Sequence, residues 1–214
     1  MADSDEGLPG HGHGRDSLPG FDPDRDLALE PRMLRGLAHP LRIRLRAELV
    51  ENGPATASQL AARIGESSGA TSYHLRQLAA YGFIADDPER GSGRERYWRA
   101  THRMLTFDMP EAGSAEHAAG AEYLRAVARL YADRIIRFAD GIEAAPEVLG
   151  EQWAEVADLS HWLLDLDAAE AAALKHRFHE ICAPYKHDDT HPRPGARRVV
   201  VQFQVFPAPQ QAPG

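Results

Sequence analysis

The chain has 214 residues, enough for one large domain or two small ones, and it carries a formal net charge of −8. Its single cysteine, Cys182, excludes an intrachain disulfide framework and fits a reducing compartment. No uninterrupted apolar run approaches the roughly 20 residues of a membrane span, and the acidic first six residues are unlike a signal peptide, so we expect a cytoplasmic protein with no membrane partner.

The charge is unevenly distributed along the chain. Residues 1–30 have two arginines and eight acidic residues, and residues 105–214 have ten basic and seventeen acidic residues. Residues 31–104 are instead basic, with twelve arginines and seven acidic residues. This segregation predicts one module that meets a polyanion and flanking regions that do not.

The first elements in chain order are a tail and two helices. Residues 1–26 are rich in Gly, Pro, Asp and His without apolar periodicity, so we expect a disordered tail. A helical pattern runs over residues 27–37. A second helix begins with Pro40 in its first turn and ends at Gly53.

Two more helices and a hairpin follow. Residues 56–59 have a capping-box pattern that begins a third helix, which ends at Gly65. A fourth helix is expected from Ser67 to Tyr81. The segments 83–85 and 94–99 flank a turn-rich stretch and indicate a β-hairpin. Helix, helix, turn, helix and hairpin in this order predict a winged helix-turn-helix domain over residues 27–104.

A long helix is predicted at residues 114–140, after the hairpin. Its apolar side chains recur at alternating spacings of four and three, which is nearly a heptad pattern. This seam consists of His117, Ala121, Leu124, Ala128, Tyr131, Ile135 and Phe138. The spacing suits pairing with another helix, and packing on the chain's own winged domain explains it equally well for part of its length.

The rest of the chain is predicted to mix helices and strands. A short helix contains Leu149, Trp153 and Val156. Another, with Leu174, Phe178 and Ile181 facing inward, begins at a capping box on Asp167. The segments 161–166 and 199–205 look like two strands that pair with each other.

These patterns predict a mainly α (α+β) fold class. In this interpretation a winged helix-turn-helix DNA-binding domain precedes a C-terminal helical region, residues 105–206, that carries a small two-stranded sheet and serves dimerisation or sensing. Residues 207–214 form a second disordered tail.

The fourth helix carries the strongest functional signal. At about 100° per residue, Thr71, Leu75 and Leu78 form one inward stripe. The outward face is small and hydrogen-bonding, a composition suited to the major groove of DNA. The candidate DNA-binding residues on and beside this face are Ser68, Gly69, Ser72, Tyr73, Arg76 and Gln77. An ordinary surface helix would explain this helix taken alone.

The hairpin strengthens the interpretation. Its tip places Arg90, Arg94 and Arg96 around two glycines, and a flexible cationic tip suits the phosphate backbone or the minor groove. A solvated charged turn is the alternative, and it is weaker because helix and wing occur together in the expected order.

Two motifs in register resemble a known family. Leu37-Ala-His-Pro-Leu-Arg-Ile-Arg-Leu45 looks like the opening signature of ArsR-type regulators. Ser67-Ser-Gly-Ala-Thr-Ser-Tyr-His-Leu-Arg-Gln-Leu78, followed by Tyr81-Gly-Phe-Ile84, is similar to that family's recognition helix and its exit into the wing. The resemblance implies a homodimer on an imperfect palindrome of double-stranded DNA, acting as a repressor. It also implies DNA contact by Ser68, Ser72, Tyr73, Arg76 and the wing arginines.

Metal binding is not supported by the sequence. Metal-sensing members of that family often have cysteines in the helix before the recognition helix, and residues 57–63 have none. His176, His179 and Cys182 spread over about 120° of a helix, too wide for one ion without another chain, although His176 and His179 could be joined by His187 or His191. We therefore expect no cofactor and no stoichiometric transition metal.

No enzyme motif is present, so catalysis is not expected. Two other classes remain open. One is a winged helix that serves as a protein-interaction module, with the C-terminal half docking a partner. Loss of binding on removal of the wing arginines would favour DNA, and unchanged binding would favour a protein partner. A small-molecule effector is the other alternative, bound in a pocket among Tyr123, Tyr131, Trp153, Trp162 and Phe178, although aromatic residues at such positions are more often core.

Overall fold

The computed structural model describes residues 18–90, 95–186 and 194–208, and the mainly α fold with small sheets is confirmed there. The helices are Leu34–Leu37 (α1), Pro40–Asn52 (α2), Ala57–Ile64 (α3), Ser68–Ala80 (α4), Ala115–Asp140 (α5), Ala145–Leu149 (α6), Glu151–Glu155 (α7) and Ala168–Cys182 (α8). The strands are Leu27–Ala28 (β1), Ala55–Thr56 (β2), Ile84–Asp86 (β3), Tyr97–Ala100 (β4) and Leu105–Thr106 (β5).

The core lies between α1–α5 and a three-stranded antiparallel sheet of order β2-β4-β3. Leu45 of α2, Leu60 of α3 and Phe83 before β3 are completely buried in it. Trp98 of β4 pairs with Ala55 of β2 on one side and with Asp86 of β3 on the other. The central strand β4 therefore connects the hairpin to β2, which lies between α2 and α3 in the chain. Burial of these large apolar side chains is the main stabilising contribution to this domain.

The boundaries of the central helices follow their capping residues, as predicted. Thr56 and Gln59 form both hydrogen bonds of a capping box at the start of α3. Gly65 ends that helix in the left-handed region at φ +71°, a conformation that costs other residues energy. The hydroxyl of Ser67 accepts from the backbone N–H of Ala70 and begins α4.

The start of the domain differs from the prediction. Residues 27–37 are not one helix, because Leu27–Ala28 is a strand that pairs in parallel with Leu105–Thr106. Residues 18–26, expected to be disordered, form turns instead. Buried Asp26 accepts hydrogen bonds from the backbone N–H groups of Met104 and Asp22. Residues 1–17 of the predicted tail lie outside the described residues.

The long predicted helix is confirmed as α5, and one of its faces packs on α1 and α2. That face contains Ala119, Ala126 and Leu130 rather than the predicted seam. Within the seam, Leu124 and Ile135 are exposed, while Tyr131 is partly buried in its own chain. The seam is therefore only partly open to a second helix.

The C-terminal region is helical, but its predicted sheet is wrong. Residues 157–166 and 196–206 form neither helix nor strand, so the small two-stranded sheet of the described chain is β1-β5 instead. Phe203 turns inward and stacks on Phe178 of α8 at 3.9 Å between ring centroids. Ile181 was expected to face inward and is 67% exposed.

The expected short helix over Leu149, Trp153 and Val156 is interrupted. Gly150, at φ +88°, separates α6 from α7, and α7 ends at Glu155. The capping box predicted at the start of α8 is confirmed, with Asp167 accepting from the N–H of Glu170.

Candidate nucleic-acid interface

The inner face of α4 is fixed by the core. Thr71, Leu75 and Leu78 are completely buried, which confirms the predicted inward stripe. Packing of α4 on α2 and α3 then determines which side of the helix meets solvent. The angle between α3 and α4 is made possible by the turn at Gly65 that ends α3.

The opposite face of α4 is open, as the spacing predicted. Ser68, Gly69 and Arg76 are exposed and Tyr73 is 53% exposed, while Ser72 and Gln77 are half-buried. An added Cβ at Gly69 would meet nothing within 4 Å, so this end of α4 has clear space in front of it. The face therefore combines an unobstructed approach with hydroxyl, phenol, amide and guanidinium groups. Contact of these side chains with DNA stays a prediction.

The wing is a hairpin of β3 and β4, and Arg90 and Arg96 lie in the connection between these two strands. Arg96 stacks over the Trp98 ring at 4.1 Å and forms an ion pair with Asp86 at 3.0 Å. Arg90 forms an ion pair with Asp87 at 3.6 Å. Both arginine side chains are more than half exposed, so their charges face solvent. Arg94 lies outside the described residues.

This geometry agrees with a comparison against known families. Residues 37–86 match the family described as a helix-turn-helix domain. The matched stretch runs from the last residue of α1 to the end of β3 and includes α4 complete. Helix-turn-helix domains are the DNA-binding modules of transcriptional regulators, with the second helix lying in the major groove. No curated protein matches the chain.

Two histidines pack against each other between α2 and α4. The rings of His39 and His74 lie 4.3 Å apart, and the Nδ1 atom of His39 accepts a hydrogen bond from the N–H of Leu41 at 3.1 Å. His39 thus caps α2 with a neutral ring nitrogen. Burial, followed by the nearby Arg42 charge, lowers the pKa of His39. Burial also lowers the pKa of His74, with further lowering by His39 and Arg42.

This histidine pair was not found from the sequence. The motif His39-Pro40 indicated a helix start, but nothing in the spacing joined it to His74, which lies 35 residues further along the chain. The contact depends on how α2 and α4 cross. The pair therefore connects the start of α2 directly to the middle of α4.

A buried arginine connects the helix-turn-helix domain to the chain beyond the wing. Arg46 of α2 donates hydrogen bonds to the carbonyl oxygens of His102 and Arg103. Burial lowers the pKa of Arg46 to about 10, so the guanidinium remains charged at neutral pH. A buried charge held by backbone carbonyls fixes the exit of β4 relative to α2. This residue too was missed, because sequence alone does not separate a buried arginine from the eleven others in the basic segment.

The candidate metal ligands do not gather in the described part of the chain. No group of three or more His, Cys, Asp or Glu side chains there could hold an ion. His176 is half exposed and faces Glu180, whereas Cys182 is partly buried. His187 and His191 lie outside the described residues.

The aromatic residues considered for an effector pocket do not surround one space. Tyr123 packs edge-on against Phe107 beside the winged domain, whereas Phe178 stacks on Phe203. Trp162 is 81% exposed and so is not buried among the others. Among the described helices, none is long and apolar enough to cross a membrane.

Proposed function

We propose that this chain is a transcriptional repressor of the ArsR type that binds a palindromic operator as a homodimer through α4 and the wing. The observation that carries the proposal is the two-sided character of α4 within a matched helix-turn-helix domain. One side is fully buried, and the other presents small and hydrogen-bonding groups to open space.

The exposed face of α4 suits base readout. The guanidinium of Arg76 has the fork geometry that pairs with guanine O6 and N7, and Tyr73 beside it offers a phenol. Ser68 and Gly69 at the helix N-terminus permit close approach, and the unpaired N–H groups there suit a phosphate. In this arrangement α4 lies in the major groove with its first turn nearest the backbone.

The wing suits a different part of the DNA. Arg90 and Arg96 face solvent at the end of a hairpin, and Trp98 holds the Arg96 side chain from below. The ion pair of Arg96 with Asp86 is exposed on both sides and therefore weak, so a phosphate can replace that carboxylate. Asp87 is buried, but the guanidinium of its partner Arg90 is exposed and open to a phosphate. We assign phosphate contact to these two residues and to Arg94.

Dimerisation follows from the small number of base pairs that one α4 helix can contact. One α4 helix reads only a few base pairs, whereas helix-turn-helix regulators reach operator specificity by placing two such helices about one helical turn apart. A two-fold dimer gives the matching palindrome. Repression follows where such a dimer covers a promoter.

The assignment of base and phosphate contacts is tested by a salt titration of two variants on operator and random DNA. Arg76→Ala should lose about 1–3 kcal/mol of discrimination between the two DNAs. Arg96→Ala should weaken binding to both DNAs alike and lower the slope of log K against log salt by about one unit. Arg177→Ala, an exposed arginine of α8, is the matched control and should change neither quantity.

Two outcomes of this titration contradict the proposal. If Arg76→Ala lowers both affinities equally, α4 does not read bases. If neither Arg76→Ala nor Arg96→Ala changes DNA affinity, the winged domain does not bind DNA and serves as a protein-interaction module.

A further inference from the structure

The C-terminal region exposes two extended apolar segments. We define segment A as residues 158–167 and segment B as residues 197–206. Ten apolar side chains of these two segments are each at least 42% exposed. They are Leu159, Trp162, Leu163, Leu164, Leu166, Val199, Val200, Val201, Val205 and Phe206. Single exposed apolar residues are ordinary, but five in each of two short segments indicate an interaction surface.

The backbone of both segments is also unpaired. Residues 158–166 and 199–206 belong to no strand, and within the described chain they form no backbone–backbone hydrogen bond. Segment B is rich in valine, which favours strands, and chain without backbone partners is a template for strand pairing. The sequence pattern that wrongly predicted an intrachain sheet therefore describes segments capable of pairing with another chain.

The chain's own contacts leave these surfaces uncovered. Segment B is held at its start, where Arg197 donates to the carbonyl of Leu149, and in its middle, where Phe203 stacks on Phe178. With segment B in this position, Trp162 is still 81% and Leu163 still 83% exposed. Within residues 18–90, 95–186 and 194–208, nothing covers these two side chains of segment A.

The charges of the two segments are complementary. Segment A contains Asp158, Asp165 and Asp167 with no lysine or arginine, and segment B contains Arg197 and Arg198 with no acidic residue. An antiparallel A–A pair would place Asp158 of one copy opposite Asp167 of the other. An antiparallel A–B pair instead places Asp165 and Asp167 beside Arg197 and Arg198. Pairing A with B is the favourable combination.

We infer that segment A of one chain pairs with segment B of a second copy, and that this reciprocal exchange is the main dimer interface. A two-fold axis forms both A–B contacts at once, because each chain supplies one of each. The ten side chains offer on the order of 1,000 Å² per copy, against the roughly 800 Å² that a stable interface buries per partner. This inference rests on the homodimer proposed above. In it, the A–B contact rather than the apolar seam of α5, which is only partly open, is the principal contact between the two copies.

The interface is tested by sedimentation equilibrium of the full chain over a range of concentrations. The double variant Trp162→Ser/Leu163→Ser, and separately Val200→Ser/Val201→Ser, should raise the dimer dissociation constant at least about 100-fold, because each lost apolar contact occurs twice in the dimer. Val148→Ser is the matched control, since this valine of α6 is 72% exposed and lies outside both segments. It should leave the dimer unchanged.

Hydrogen exchange of the wild-type chain supplies the second measurement. Amides of residues 199–205 should be protected in the dimer and should lose protection on dilution below the dissociation constant. Protection that persists at every dilution would mean that A and B pair within one chain, and it overturns the inference. Fast exchange at every concentration points to a different partner and overturns it as well.

The outcomes separate this inference from the proposed function. If both double variants remain as dimeric as the wild type and bind operator normally, the A–B interface is wrong and the DNA-binding homodimer stands. If the wild type is monomeric at micromolar concentration with and without DNA, the homodimer fails together with its interface. A wild-type helix content of the variants, measured by circular dichroism, will show that they fold, whereas their melting temperature should fall with the loss of the dimer.

Discussion

His39 caps α2 through a ring nitrogen that must be unprotonated to accept the N–H of Leu41. The pKa values of His39 and His74 are lowered from 6.5 in the folded chain, mainly by burial. The unfolded chain therefore takes up protons near pH 6.5 while the folded chain does not. The stabilising contribution of the pair is complete above that pH and declines as the pH falls through the lowered values.

We expect the free energy of unfolding to fall between pH 7.5 and pH 5.5, and to fall less in His39→Asn. Asparagine is a good N-cap residue and does not titrate, so the cap is kept while the pH dependence is reduced. Denaturant unfolding at several pH values measures the difference. Equal slopes for His39→Asn and wild type would show that the cap does not sense pH. Burial also lowers the pKa of His102, and this residue adds the same pH dependence to the wild type and to His39→Asn.

The sequence revealed residues whose role follows from position on one helix. The buried and open faces of α4 were correctly separated from the 3.6-residue period alone, which placed Tyr73 and Arg76 outward. The pairing of His39 with His74, and the burial of Arg46, depend on the crossing of two helices. No local pattern encodes such a crossing, so these residues were not found.

Two glycines of the helix-turn-helix region differ in the space around them: one lies in a tightly packed contact between elements, and the other faces open space. An ideal Cβ on Gly36 of α1 would lie 2.5 Å from Tyr81 Cγ and 2.8 Å from Phe83 Cε2, whereas Gly69 of α4 has open space. Gly36→Ala should therefore lower the free energy of unfolding by about 1–3 kcal/mol through overpacking. Gly69→Ala should raise it by about 0.5–1 kcal/mol, because alanine favours the helix.

In Gly69→Ala, operator affinity should fall while the free energy of unfolding rises. The added methyl group of Gly69→Ala faces the DNA in our account, so operator binding should weaken although the fold becomes more stable. Urea unfolding and an operator titration of the same sample measure both quantities. A Gly69→Ala chain that is more stable and binds operator as the wild type does would remove Gly69 from the interface.

Local sequence signals correctly predicted the helices that begin at a side-chain cap. They failed for strands outside the hairpin, because a strand depends on pairing with a segment elsewhere in the chain. The starts of α3, α4 and α8 coincide with Thr56, Ser67 and Asp167, because a side-chain cap is a local interaction. The strand Leu27–Ala28 was missed since its partner lies at residues 105–106. Segments A and B have the alternation of strands, yet a strand forms only where a neighbouring backbone is available.

The whole molecule separates its charge by function in this account. The basic residues concentrate in 31–104, which contains α4 and the wing, although the chain as a whole is at −8. Acidic flanking regions reduce attraction to arbitrary DNA, so base contacts decide where the protein stays. The same flanks include segments A and B, through which we propose that two copies join.

The central claim is that two α4 helices of a dimer read two half-sites of one operator. Its most direct test is selection of genomic DNA fragments by the purified full chain, followed by a hydroxyl-radical footprint of the enriched fragment. We predict a palindromic site with two protected half-sites about 34 Å, or one helical turn, apart, and weaker enrichment of that fragment by Arg76→Ala than by the wild type. Enrichment of no fragment by the wild type, or a single protected stretch without symmetry that Arg76→Ala protects equally, would contradict the account.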